Sequence, residues 1–207
     1  ARYVALASEP LRSAGMKVIL GSVAGPTWQQ ALIFARTMVD PDLFDFGSFH
    51  PYGQQVVALG DPQPGFGPGL RASIERAAAL LGKPMVVTEF GAKLSDYGGE
   101  ARQAQYVTEA FREIRTLDQS ACVAACYFAW HDDVGSPGEQ GEHAFGLVRA
   151  DGSRRPAYAA FQDAVPNTVG DRTEAYRRAL LRTMAYVRST PQKQIKRKTL
   201  LELLGAA

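Results

Sequence analysis

The stretch Pro84-Met85-Val86-Val87-Thr88-Glu89-Phe90-Gly91-Ala92 constrains the fold of this chain more than any other. Apolar and β-branched residues run without a break into a single carboxylate, and Phe90 and Gly91 follow at once. A strand buried on both faces reads as such a continuous apolar run, which is the signature of a parallel sheet covered by helices. In barrels of alternating strand and helix, reactive side chains stand at the C-terminal ends of the strands. Glu89, the last polar residue of the run, is therefore a candidate for chemistry.

Around this strand the chain alternates. Residues 1–14 have amphipathic helical spacing, with Pro10 either kinking the helix or lying in the first turn of a second one capped by Ser8. Lys17 to Ser22 reads as a strand, and Pro26 opens a helix over 27–39 with Trp28, Ala31, Leu32, Ala35 and Val39 at helical spacing. Phe44 to Tyr52 reads as a strand ending in His50-Pro51-Tyr52. A Gly- and Pro-rich loop from Gly60 to Gly69 leads to an alanine-rich helix over 70–82 that Gly82 closes. After the Glu89 strand, a helix over 100–117 turns Ala104, Val107, Ala110, Phe111 and Ile114 inward. Ala124 to Trp130 reads as a fourth strand, and His131 to His143 as a polar loop. Phe145 to Gly152 has the Asp-Gly signal of a hairpin, and Pro156 starts a closing helix with Tyr158 and Phe161. The order βαβαβαβα implies a parallel sheet with right-handed crossovers.

The 207 residues suffice for one sizeable core and a tail. Residues 1–165 form the alternating body. In 166–207 two helical stretches, split near Pro191, carry nine Lys/Arg against three acids, leaving the rest of the chain at −4 within an overall +2. A basic run without aromatic platforms or a recognised nucleic-acid fold reads as a solvated or packed amphipathic tail, so no nucleic-acid partner is expected. Cys122 and Cys126 lie four apart, about 13 Å along a strand, too far for a disulfide, and read as free thiols. No apolar run reaches membrane-spanning length, and the opening lacks the basic and apolar regions of a signal peptide. No His, Cys, Asp or Glu set has metal-ligand spacing, and Gly65-Phe66-Gly67-Pro68-Gly69 lacks the Lys-Ser/Thr of a phosphate loop. No cofactor is expected.

Taken together, Thr88-Glu89-Phe90-Gly91, the earlier His50-Pro51-Tyr52 and the later Tyr127-Phe128-Ala129-Trp130 resemble the strand ends of retaining clan A glycoside hydrolases, the cellulase-like and xylosidase-like (β/α)8 barrels. Phe145-Gly146-Leu147-Val148, Asp151-Gly152 and Pro156-Ala157-Tyr158 resemble their closing segment, and Lys17 to Gly21 their fifth strand. The resemblance covers about residues 1–164. It implies hydrolysis of β-linked glycosides with retention, with Glu89 as the nucleophile that forms a covalent glycosyl-enzyme. Tyr52 would hydrogen-bond and orient Glu89; a bond of that kind favours the charged form. Trp130 would lie under the sugar ring. His50 shares its strand face with Tyr52, and either binds a sugar hydroxyl or holds Tyr52 and the loop. Asp132 and Asp133 are candidates for sugar hydroxyls, although loop aspartates more often form turns; His143 reads as a loop residue. The resemblance also favours a secreted or periplasmic setting over the cytoplasm, and an oligo- or polysaccharide substrate.

One part of the pattern is missing. A retaining glycosidase needs two carboxyl groups about 5–5.5 Å apart, and the family's acid/base follows an Asn at the end of the fourth strand. Ser8-Glu9-Pro10 imitates that motif, but six residues between Pro10 and Lys17 leave no room for a crossover helix, so Glu9 reads as a helix-surface residue. The chain thus reads as half of a barrel, strands 5–8 with a C-terminal helical tail. It is then a fragment, or pairs with a polypeptide carrying the other half, or closes a barrel as a homodimer. In the homodimer, Asp132 or Asp133 of one copy could approach Glu89 of the other as a surrogate acid. A non-catalytic carbohydrate-binding or assembly module is the other reading.

Overall fold

The computed structural model describes residues 2–52, 59, 69–132 and 144–165. Asp133, His143, most of the Gly- and Pro-rich loop and the basic tail lie outside these residues. The chain divides into two units, Ala1–Ala164 and Val165–Ala207, and every described helix and strand belongs to the first.

The elements run α1 (Arg2–Ser13), α2 (Trp28–Met38), a 3-10 turn (Pro41–Leu43), β1 (Gly47–Ser48), α3 (Leu70–Leu81), β2 (Met85–Phe90), α4 (Leu94–Tyr97), α5 (Glu100–Arg115), β3 (Cys122–Tyr127) and α6 (Pro156–Ala164). The three strands form a parallel sheet in the order β1-β2-β3. Residues 19–23 add a parallel edge beyond β1 through the isolated bridges Ile19–Phe46 and Val23–Phe49. Spatial order therefore follows chain order, as in a barrel wall.

Helices α3 and α5 follow the expected apolar spacing. Leu70, Ile74, Ala77, Ala78 and Leu81 of α3 meet Met85, Val87 and Phe90 of β2 in one core that also holds Trp28, Leu32, Phe49 and Tyr106. Trp28 and Phe49 pack with ring centroids 4.6 Å apart. Gly82, at φ 74°, ends α3 in the left-handed conformation that suits glycine.

Several elements depart from the sequence pattern. The expected strand over Lys17–Ser22 survives only as bridges, because the Asp45 carboxylate rather than a ladder carbonyl accepts the Val18 N–H, at 2.9 Å. The strand expected over Phe44–Tyr52 shrinks to Gly47–Ser48, since the 3-10 turn precedes it and Tyr52 N–H bonds back to the His50 carbonyl. Residues 2–13 form one helix despite Pro10, and the Ser8 hydroxyl bonds the Val4 carbonyl at 2.7 Å instead of capping. The fourth strand starts earlier than expected, at Cys122, and carries both cysteines as free thiols. The hairpin is tighter than its sequence suggests. Val148 pairs in parallel with His131 and antiparallel with Arg154, and Arg149 N–H bonds the Ser153 carbonyl at 2.8 Å.

Candidate active site

Glu89 stands one residue before the end of β2, the middle strand, as its sequence position requires. The pairing there is irregular. Val87 pairs with Ala125 and Phe90 with Tyr127, so three steps on β2 match two on β3, and the extra residue falls at Thr88-Glu89. A bulge of this kind re-aims side chains and is common next to active sites. Regular strand alternation would send Thr88 and Glu89 to opposite faces. With the bulge, both reach the same imidazole: Thr88 Oγ1 lies 2.7 Å from His50 Nε2, and Glu89 Oε2 lies 3.6 Å from His50 Nδ1.

The Tyr52 hydroxyl donates to Glu89 Oε2 at 2.9 Å. Burial, and then that hydrogen bond to the carboxylate, push the Tyr52 phenol far above its ordinary value, so it remains a donor throughout the physiological range. Tyr52 donates to Oε2, with His50 Nδ1 beyond hydrogen-bond distance at 3.6 Å, and Oε1 is the oxygen without a described protein donor. The Glu89 side chain is 40% exposed, so the carboxylate is open to solvent.

The aromatic surroundings include a ring that the sequence did not single out. The ring edge-on to Tyr52 belongs to Phe128, at 6.3 Å and 88°, and Phe145 joins both at 5.5 Å. Trp130, two residues on, leans on Tyr158 and Phe161 of α6 and keeps over half of its surface exposed. Sequence reasoning passes over Phe128 because a tryptophan two residues away carries a stronger prior. Gly91 lets this wall form. A Cβ there would lie 2.1 Å from the Phe128 carbonyl oxygen, a backbone atom that cannot simply swing aside.

Asp132 is committed elsewhere. Its Oδ1 accepts the Gly146 N–H at 2.8 Å and its Oδ2 pairs with Arg155 at 2.7 Å. Arg155, 5% exposed, also pairs with Glu100 at 3.2 Å and donates to the Gly146 carbonyl at 2.9 Å. Arg149 reaches Glu100 at 2.6 Å, and its hydrogen bond holds the Glu100 carboxyl below the usual range. This cluster fastens the closing segment to the end of β3 and to α5. It gives Asp132 a structural task in this chain, with both oxygens already engaged. Glu9 lies exposed on α1. Among the described residues, Glu89 meets Tyr52 and His50 and no second carboxyl group, and no cluster of three or more His, Cys, Asp or Glu could hold a metal ion. None of their helices is long and apolar enough to cross a membrane.

No family model matches the chain, and no curated protein matches it in sequence. Solved structures do match in fold. A thermostable xylanase mutant from Cellvibrio japonicus aligns with TM-score 0.55 and 13% identity, over 79% of this chain and 54% of its own. The xylohexaose complex of the CBM22-1-GH10 modules of a Clostridium thermocellum endo-1,4-β-D-xylanase aligns with TM-score 0.54 and 15% identity, over 82% and 34%. A xylotetraose complex of an intracellular xylanase from Thermoanaerobacterium saccharolyticum aligns with TM-score 0.53 and 17% identity, over 78% and 49%. The chain thus spans about half or less of the length of each. Its fold is α/β with a parallel sheet, similar to part of the (β/α)8 barrel of glycoside hydrolases.

Proposed function

We propose that this chain is the C-terminal half of a (β/α)8 glycoside hydrolase of the retaining type, acting on β-linked sugars with Glu89 as nucleophile. The observation that carries the reading is the carboxylate at the end of the middle strand, its Oε2 held by the Tyr52 hydroxyl at 2.9 Å and its Oε1 open. In this mechanism Oε1 attacks the anomeric carbon and the aglycone leaves with the bonding electrons. Water then releases the sugar with net retention. Tyr52 fixes the trajectory. His50, Phe128 and Trp130 supply a polar contact and an apolar wall for the ring. The acid/base carboxyl comes from outside the described residues.

The remaining half-barrel comes from a preceding segment, a second polypeptide or a second copy of this chain. Exposed apolar residues support association: Ile33, Phe34 and Met38 of α2 are each at least half exposed, and Ile19 on the sheet edge is 44% exposed. In the homodimer form, Asp133 of the partner is the remaining candidate for a surrogate acid. Without a complement, the chain is a saccharide-binding or assembly module. That second reading is favoured by the absence of a second carboxyl at Glu89 among the described residues.

A 2,4-dinitrophenyl 2-deoxy-2-fluoro-β-glycoside tests the proposal directly. Its activated leaving group departs without acid assistance, so nucleophilic attack alone traps a covalent adduct. Intact-mass and peptide analysis across xylosyl and glucosyl probes should place one adduct on Glu89, absent in Glu89→Gln. A folded chain that gains no adduct, at concentrations where light scattering shows both monomer and any dimer, overturns the catalytic reading. Saccharide binding that survives Glu89→Gln then supports the module.

A further inference from the structure

Three hydroxyls, from the edge segment, β1 and β2, meet beside His50. Ser22 Oγ and Ser48 Oγ lie 2.5 Å apart, Ser48 Oγ and Thr88 Oγ1 2.6 Å, and Ser22 Oγ and Thr88 Oγ1 2.8 Å. Thr88 Oγ1 is also 2.7 Å from His50 Nε2. Two irregularities bring them together. Between the Ile19–Phe46 and Val23–Phe49 bridges, four steps on the edge segment match three on its neighbour, which accommodates Ser22. The bulge at Thr88-Glu89 turns Thr88 toward the same point.

The protons in this cluster can be counted. Each contact is short enough to need a hydrogen between its heavy atoms. There are four contacts, and three hydroxyls supply one hydrogen each. The fourth must come from the imidazole. The hydroxyls then form a closed ring, and His50 Nε2–H donates to Thr88 Oγ1, which accepts twice and donates once. A neutral imidazole carries one ring proton. With that proton held at Nε2, the atom turned to Glu89 and the site is Nδ1, bearing a lone pair.

We infer that Thr88, backed by Ser22 and Ser48, is a positioning residue that locks His50 in its Nε2-protonated tautomer and presents Nδ1 to the site as a hydrogen-bond acceptor. His50 therefore accepts a hydrogen bond from a sugar hydroxyl and does not donate one. Only this substrate-facing consequence rests on the glycosidase reading; the tautomer itself does not.

The test is long-range 1H–15N correlation spectroscopy of the full chain, with His50 assigned through His50→Gln. In the neutral ring, Nε2 should show the protonated-type shift and Nδ1 the bare-type shift. Thr88→Val, nearly isosteric, should scramble the two, while Thr88→Ser should restore the original pattern. Serine keeps the donor and acceptor but not the methyl group, so its rescue separates hydrogen bonding from packing. Fluoro-sugar labelling of Glu89 should slow about threefold to tenfold in Thr88→Val, the size expected for one lost hydrogen bond. A bare Nε2 in the unaltered chain, or a pattern unchanged by Thr88→Val, overturns the inference. The expected tautomer in a chain that forms no adduct on Glu89 overturns the glycosidase reading alone.

Discussion

Arg155 is the most heavily engaged buried cation among the described residues, and removing it tests how the closing segment is held. Its side chain is 4% exposed and makes contacts with Asp132, Glu100 and the Gly146 carbonyl at 2.7, 3.2 and 2.9 Å. Breaking a buried ion pair by deleting one partner costs about 3–5 kcal/mol, because the other charge is left buried. Here the stranded groups keep some donors: Glu100 keeps Arg149, and Asp132 keeps the Gly146 N–H. The lower end, about 3 kcal/mol, is therefore the expected loss for Arg155→Met. At a urea slope of about 2 kcal/mol/M, that moves the unfolding midpoint down by about 1.5 M. Tryptophan fluorescence can follow it, since Trp28 is buried in the core and Trp130 touches α6. Arg154→Ala is the control. Arg154 lies over the Tyr158 ring at 4.3 Å, and its loss should cost about 0.5 kcal/mol. Arg155→Lys should fall between the two, since an ammonium cannot reproduce the fork of a guanidinium. If Arg155→Met loses less than about 1 kcal/mol, or no more than the control, the cluster does not anchor the segment and the reasoning fails.

Tyr52→Phe should slow fluoro-sugar labelling of Glu89 by about tenfold to a hundredfold, since a hydrogen bond to a charged group contributes about 1.5–3 kcal/mol; an unchanged labelling rate excludes Tyr52 from orienting the carboxylate. Acid should loosen the N-terminal edge. The Val18 N–H and then Lys17 hold the Asp45 carboxyl down to about 2, below its value of about 4 in an unfolded chain. A depressed carboxylate stabilises the fold above its unfolded value and loses that contribution as pH falls through its folded value. Unfolding midpoints should therefore drop between about pH 4 and pH 2, and Asp45→Asn should flatten that part of the profile. Glu100 contributes in the same sense, through its bond to Arg149.

The run from Met85 to Glu89 set a buried strand and its carboxylate unaided, because continuous apolarity and a polar stop are local properties. Helices α3 and α5 were equally plain, since helical spacing, and for α3 the closing Gly82, are written within one segment. The alternation of strands and helices then left a parallel sheet in chain order as the economical fold. Register was a different matter. Whether Thr88 and Glu89 diverge or turn to one imidazole depends on a bulge, and a bulge exists only against a neighbouring strand. The same holds at Ser22, whose position follows from a mismatch with β1. That Phe128 stands edge-on to Tyr52 depends on the path of the chain after Tyr127, which no local pattern states. Asp132, which the sequence left between sugar contact, surrogate acid and turn former, is claimed by a buried arginine 23 positions away. Periodicity fixes what a segment becomes; the pairing of segments distant in the chain fixes where each side chain points, and the chemistry of Glu89 depends on the latter.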